Sequence, residues 1–201
     1  MRTKMLKIFL SAVVIFGALS CSCPKCSKRE NVSGVPNLIY SQADIYLSSK
    51  TGEKFFEEYF YRDYTKAKAL DGKYEVHYTL TDPARPYVYG DVYFYLDLKG
   101  KVLENYEQYG IPQCKTMPET CEFNINKQEA LTIAKDAGLI KGIRPWDAAF
   151  RWSPELNMYI WHILSTTSER GTKRNYKASG EEIMISPYNG EVLKHRKWNI
   201  Y

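Results

Sequence analysis

From residue 126 onward, apolar and polar positions follow first one period and then another. Ala130, Ile133, Ala134 and Ala137 recur at the spacing of a single helical face. Asn126 and Glu129, three residues apart, suit the capping box that opens a helix, and Gly138 is a natural stop. The period then falls to two, that of a strand with one buried face. Ala148 to Trp152 and Met158 to Leu164 flank Ser153-Pro154-Glu155-Leu156-Asn157, a hairpin signal, and Ile183-Met184-Ile185 runs through a turn at Gly190 into Val192-Leu193.

The same plan can be read upstream. A helix over about residues 52–61 presents Phe55, Phe56, Tyr59 and Phe60 on its apolar side. Tyr64 to Leu70 and Lys73 to Leu80 then flank Asp71-Gly72, a strong two-residue hairpin signal. Phe94-Tyr95-Leu96 leads through Gly100 into Val102-Leu103, with a turn one residue shorter than its counterpart at Gly190. Both halves predict helix, hairpin, hairpin. The expected fold is α+β: two tandem units, each one helix packed on a four-stranded antiparallel sheet whose other face is open. The units cover 38–110 and 125–201, joined by a linker loop over 111–124.

Alternation along the strands sorts side chains by face. With Val92, Phe94 and Leu96 toward the helix, Tyr93 and Tyr95 project from the open side. The same reading sets Tyr159 and Trp161 opposite the face of Ile160 and Leu164. Tyrosine and tryptophan offer large contact area with a polar handle, so these four rings are candidates for a binding surface. Filling the seam between the two units is the alternative use for them.

The run Asn126-Lys127-Gln128-Glu129-Ala130-Leu131-Thr132-Ile133-Ala134-Lys135, the Trp161 strand, and Ile183-Met184-Ile185 followed by Gly190-Glu191-Val192-Leu193 resemble a PepSY domain. Ser186-Pro187 replaces the aspartate common before that family's glycine turn. The resemblance covers about residues 124–198, and the first half only through its last hairpin. It implies a small extracytoplasmic α+β module that modulates peptidases or other envelope proteins by binding them. Tandem units of this shape also resemble, in plan only, the architecture of β-lactamase inhibitory protein.

The N-terminus places the chain in a compartment. Arg2, Lys4 and Lys7 precede an apolar run from Leu6 to Leu19 broken by Ser11 and Gly17, the form of a secretory signal peptide over residues 1–20. The run is shorter than the roughly 20 apolar residues of a membrane span. Ala18-Leu19-Ser20-Cys21 resembles the lipobox of bacterial lipoproteins, which implies cleavage before Cys21, acylation of that cysteine and a lipid anchor to a membrane of the cell envelope, on its periplasmic or surface side. Cleavage by an ordinary signal peptidase is the rival. Residues 21–37, polar after the cysteines, then read as a flexible tether.

Loss of the leader also changes the charge. The net +5 of the whole chain becomes 25 basic against 23 acidic residues, and a near-neutral fold does not call for nucleic acid. The remaining cysteines fall into two near pairs, Cys23 with Cys26 and Cys114 with Cys121, both disulfide candidates in an oxidising compartment. A redox role for Cys23-Pro24-Lys25-Cys26 needs a helix N-terminus to activate the thiolate. The polar stretch that follows reads instead as tether.

His77 lies on the polar side of its strand with Glu75 and Thr79, His162 shares a face with Ile160 and Leu164, and His195 sits among Lys194, Arg196 and Lys197. No phosphate loop or nucleophile elbow is present in the sequence, no catalytic set is assigned, and no cofactor or metal is expected. His77 joins the four aromatic residues as a binding-surface candidate. The expectation is a lipid-anchored, non-enzymatic binding module whose partner is an envelope protein or peptide. The alternative is an envelope redox protein or hydrolase using Cys23 and Cys26, or a pocket gathering Glu75, His77 or His162.

Overall fold

The computed structural model describes residues 34–172 and 174–201, which include the last four residues of the stretch expected as tether. Val35 is 1% exposed and belongs to the core, so from that residue on the stretch expected as tether is part of the fold. Helix α1 spans Asn37–Thr51 and helix α2 spans Glu53–Tyr59, separated by Gly52 at φ 88°. Ile39, Tyr40, Ala43 and Leu47 of α1 line one buried stripe. α1 is the helix that fills the core of this half, and the pattern reading missed it. Leu38 and Ile45 are exposed on its other side, which blurs the amphipathic contrast, and no side chain caps its start. The expected helix over 52–61 is α2. It ends at Tyr59 because Phe60 already turns into a strand.

Two four-stranded antiparallel sheets follow. In the first, β3 (Lys73–Asp82) pairs along its length with β4 (Arg85–Asp97). On its other side β3 pairs with β1 (Phe60–Arg62) through Tyr78–Leu80 and with β2 (Lys68–Leu70) through Lys73–Glu75. The Asp71-Gly72 turn closes β2 onto β3, with Gly72 at φ 71°. The strand expected from Tyr64 to Leu70 is only its last three residues. After Gly100 the expected second strand shrinks to a single bridge, Leu96 with Val102.

The second sheet is a meander of β5 (Asp147–Ser153), β6 (Met158–Arg170), β7 (Lys177–Ile185) and β8 (Val192–Ile200). Helix α3, Lys127–Asp136, precedes it and starts with the anticipated capping box: Asn126 Oδ1 accepts from the N–H of Gln128 and Glu129, and Glu129 accepts from the N–H of Asn126 at 2.8 Å. The molecule is α+β, with two four-stranded antiparallel sheets and, among the described residues, three α-helices. The first half carries two of those helices, and its sheet is not a meander.

The glycine turns are alike in both halves. Gly100 at φ 87° lies so close under α1 that a Cβ there would meet Gln42 Cγ at 2.8 Å, and Gly190 at φ 77° lies under α3, where a Cβ would meet Ile133 Cδ1 at 2.7 Å. A side chain at either position is strained by the backbone angle and crowded by the helix above.

The two sheets share their packing. Ile111, Phe123, Trp152 and Tyr159 join the core of the first sheet, while Ala130, Ala134, Trp161, Ile163, Ile183 and Ile185 form a core under α3. Tyr87 and Phe150 pack against both. The expected linker is therefore pinned: Ile111 and Phe123 are buried at its two ends, and Cys114 is disulfide-bonded to Cys121. The N–H of Lys115 donates to Lys50 O at 3.1 Å, tying the loop to the end of α1. The described residues lie within one compact unit. No helix among them is long and apolar enough to cross a membrane.

Candidate binding faces

Along β4 the alternation buries Val88, Val92, Phe94 and Leu96 against the helices and turns Tyr89, Tyr93 and Tyr95 to the other side. Strand register builds rows from these residues. His77 stands opposite Tyr93 and stacks on it at 5.4 Å, and Tyr93 stacks in parallel on Tyr109 at 5.2 Å. Backbone hydrogen bonds of 3.1 and 2.9 Å between Tyr93 and Tyr109 hold that third ring. In the next row Tyr95 meets Tyr106 at 5.5 Å, and Lys73 Nζ lies 5.3 and 3.8 Å from the two ring centres. Tyr61 and Tyr89, both more than half exposed, complete a face that no helix among the described residues covers.

The polar groups of this face are largely engaged. Glu75 Oε1 lies 2.6 Å from His77 Nε2 and 3.4 Å from Lys68 Nζ. Burial opposes the charge of Glu75, but the hydrogen bonds from His77 and Tyr95 and the Lys68 cation outweigh it and hold its pKa below the ordinary carboxylate value. Burial, then the hydrogen bond to Glu107, push the Tyr93 phenol up to about 12. Tyr93, Tyr95, Tyr106 and Tyr109 are thus held by their neighbours within the chain. Such an array loses little entropy on association. His77 Nδ1 is buried without a hydrogen-bond partner.

The second sheet differs from expectation. Tyr159 and Trp161 are each 1% exposed and face the core, so of the two uses weighed for them the packing gives the seam. Trp161 lies in the core under α3, donates Nε1–H to Ile125 O at 2.7 Å and touches Tyr87. Tyr159 stacks in parallel on Phe150 at 5.2 Å, meets Trp152 edge-on, and donates its hydroxyl to Gly110 O at 3.1 Å. The alternation was legible, but both faces of β6 are apolar, so period alone does not say which one meets the helix. Ile160, His162 and Leu164 take the side away from α3.

On that side a carboxylate network covers His162. Glu182 Oε2 lies 2.7 Å from His162 Nε2, and Arg196 Nε donates to Glu182 Oε1 at 2.5 Å. Arg196 and Lys194 also reach Glu155. Burial disfavours ionisation of Glu182, but Arg196 and His162 overcome it and its pKa is lowered. His195 is exposed, 3.1 Å from Glu181.

Of the three residues named for a hydrolase pocket, Glu75 and His77 meet and His162 lies on the other sheet. His77 pairs with Glu75 on the first sheet and His162 with Glu182 on the second, each imidazole largely shielded from solvent. Among the described residues no three His, Cys, Asp or Glu side chains gather to hold a metal ion. Cys21, Cys23 and Cys26, and with them the lipidation and redox readings, lie outside the described residues. Sequence reasoning missed Tyr61, Tyr89, Tyr106 and Tyr109. The first two have an alternation signal in their strands; the last two sit in a segment without period. No protein-family model matches the chain, and no curated protein matches it.

Proposed function

We propose that this chain is an exported, lipid-anchored, non-enzymatic binding module of the bacterial cell envelope, which holds or modulates a protein or peptide, with a peptidase among the targets to test. One observation carries the reading. The outer face of the first sheet presents the exposed Tyr61 and Tyr89 beside Tyr93, Tyr95 and Tyr106, which are held by ring contacts, with Lys73 and Glu75 set among them. Aromatic residues of this kind, held in place and flanked by charge, dominate protein interfaces.

The likeness of the two glycine turns, each tucked under a helix, supports a common plan for the halves, with α1 rather than α2 as the counterpart of α3. In that view both are PepSY-like units, the first having lost most of its last strand. The order α3, β5 to β8 agrees with the resemblance in the second half.

The test is site-specific photocrosslinking in the native envelope. A crosslinkable residue at Tyr89 is expected to trap a discrete partner, and the same group at Lys54, on the exposed surface of α2, is not. Equal yields at both sites would remove the outer face as the binding surface. With the crosslinker moved to Tyr95, replacing both Tyr61 and Tyr89 by serine should abolish the product while leaving the fold intact by circular dichroism.

A further inference from the structure

At one end of the second sheet, apolar tips and cations lie together. Ile140, Lys197 and Trp198 border one groove with Ser179 and Asn199, and those two residues also border the next groove, which ends at Ile200 and Tyr201. The loop from Lys141 to Trp146 lies alongside, held by the Ile143 N–H donating to Thr166 O at 2.8 Å and by Arg144 NH1, 3.2 Å from Glu169 Oε1. Its tip, Ile143, is 60% exposed, and Ile200 is 49% exposed.

Lys141, Arg144, Arg170, Lys177 and Lys197 border these grooves and Arg174 lies in the connection between β6 and β7, all of them exposed. The nearby carboxylates are Glu169, Glu181 and Asp147. Glu169 is engaged by Arg144 and Tyr176, and Glu181 by His195, so the cations at this end exceed the anions that answer them.

We propose that this end of the sheet is a docking surface for an anionic phospholipid bilayer. Ile143, Ile200 and Tyr201 enter the interfacial layer while the lysine and arginine heads meet the phosphates. The excess positive charge argues for an anionic occupant. The form of the patch argues for a fluid one: its apolar groups stand singly between long side chains that can lay their stems along hydrocarbon and keep their charge among headgroups. Tyrosine and tryptophan favour that same boundary. A compact protein partner instead asks for a central buried anchor, which this end lacks. The proposal goes beyond the tethered-module reading and stands without it, since no acyl group takes part.

The test is sedimentation of the full chain carrying Cys21→Ser with vesicles of phosphatidylcholine alone, or of phosphatidylcholine and phosphatidylglycerol mixed two to one, at fixed salt. The quantity read is the ratio of the two partition coefficients, in which any lipid-composition-independent contribution cancels. Wild type is expected to prefer the anionic vesicles. Lys141→Gln, Lys177→Gln and Lys197→Gln combined should lower that preference about a hundredfold, near fivefold per cation. Lys54→Gln, Lys99→Gln and Lys101→Gln, which remove the same charge from exposed sites in the first half, should change it by less than tenfold. Ile143→Asp alone should weaken binding to anionic vesicles while leaving the near-ultraviolet circular dichroism unchanged. No preference in wild type, or equal losses in the two triple variants, overturns the proposal, and an acidic protein then becomes the occupant to seek.

Discussion

Gly90→Ala tests whether the two sheets are one cooperative body. A Cβ at Gly90 would lie 2.5 Å from the hydroxyl oxygen of Tyr159 and 2.6 and 2.8 Å from Cε1 and Cζ of its ring. The ring has little room to retreat, since it is stacked on Phe150, edge-packed on Trp152, and held at its hydroxyl by Gly110 O. Overpacking of this kind costs about 1–3 kcal/mol. Displacing the hydroxyl from Gly110 adds about 1 kcal/mol for the lost hydrogen bond. Against this, alanine restricts the unfolded chain, worth about 0.4–1 kcal/mol, and Gly90 is not among the glycines at positive φ. The net expectation is a destabilisation of about 1–3.5 kcal/mol, read from urea unfolding followed by tryptophan fluorescence and by far-ultraviolet circular dichroism. Trp152 and Trp161 lie at the seam, so the two signals should move together through one transition. In a Tyr159→Leu background, which removes the atoms that clash, Gly90→Ala should cost less than about 0.5 kcal/mol, the range of substitutions that touch nothing critical. A single variant indistinguishable from wild type in urea midpoint, or the same cost in both backgrounds, would refute the seam packing.

Two further perturbations probe charged groups. Because Glu182 has a lowered pKa in the folded state, its contribution to stability is present above the unfolded carboxylate value, about 4.3, and is lost as pH falls through the lower folded value. Glu182→Gln should therefore flatten the acid limb of stability measured by urea unfolding between pH 3 and 7, and an unchanged limb would show that the network with His162 and Arg196 contributes nothing. Asp44 on α1 accepts from Tyr78 at 2.7 Å and pairs with Arg62 of β1, so Asp44→Ala leaves both without their carboxylate. A loss of about 1–3 kcal/mol is expected in thermal or urea unfolding, because these groups are only partly exposed. A variant as stable as wild type would show that the pair does not fasten α1 to the sheet.

What could be read along the chain is what depends on neighbours in sequence. The capping box at Asn126, the stop at Gly138, the Asp71-Gly72 turn and the strands from Ala148 onward are local contests of backbone hydrogen bonding and period, and the structure resolves them as anticipated. The closeness of Cys114 and Cys121 was legible for the same reason. α1 was not, since its outer side carries Leu38 and Ile45 and its register is set by Asp44 reaching Arg62 and Tyr78, partners 18 and 34 residues away. Tertiary packing likewise decided which face of β6 turns to α3 and the seam, since both faces are shielded and Ile160 is as buried as Tyr159. The side of Tyr159 and Trp161 and the side of Ile160 and Leu164 are both apolar, and which of them faces α3 falls to contacts from Gly110, Phe123 and Ile125, which no period within the strand encodes. By itself the sequence determined the start of α3, the glycine turns and the alternation of the strands; the meeting of distant apolar surfaces determined which rings became core and which were left on the outer face.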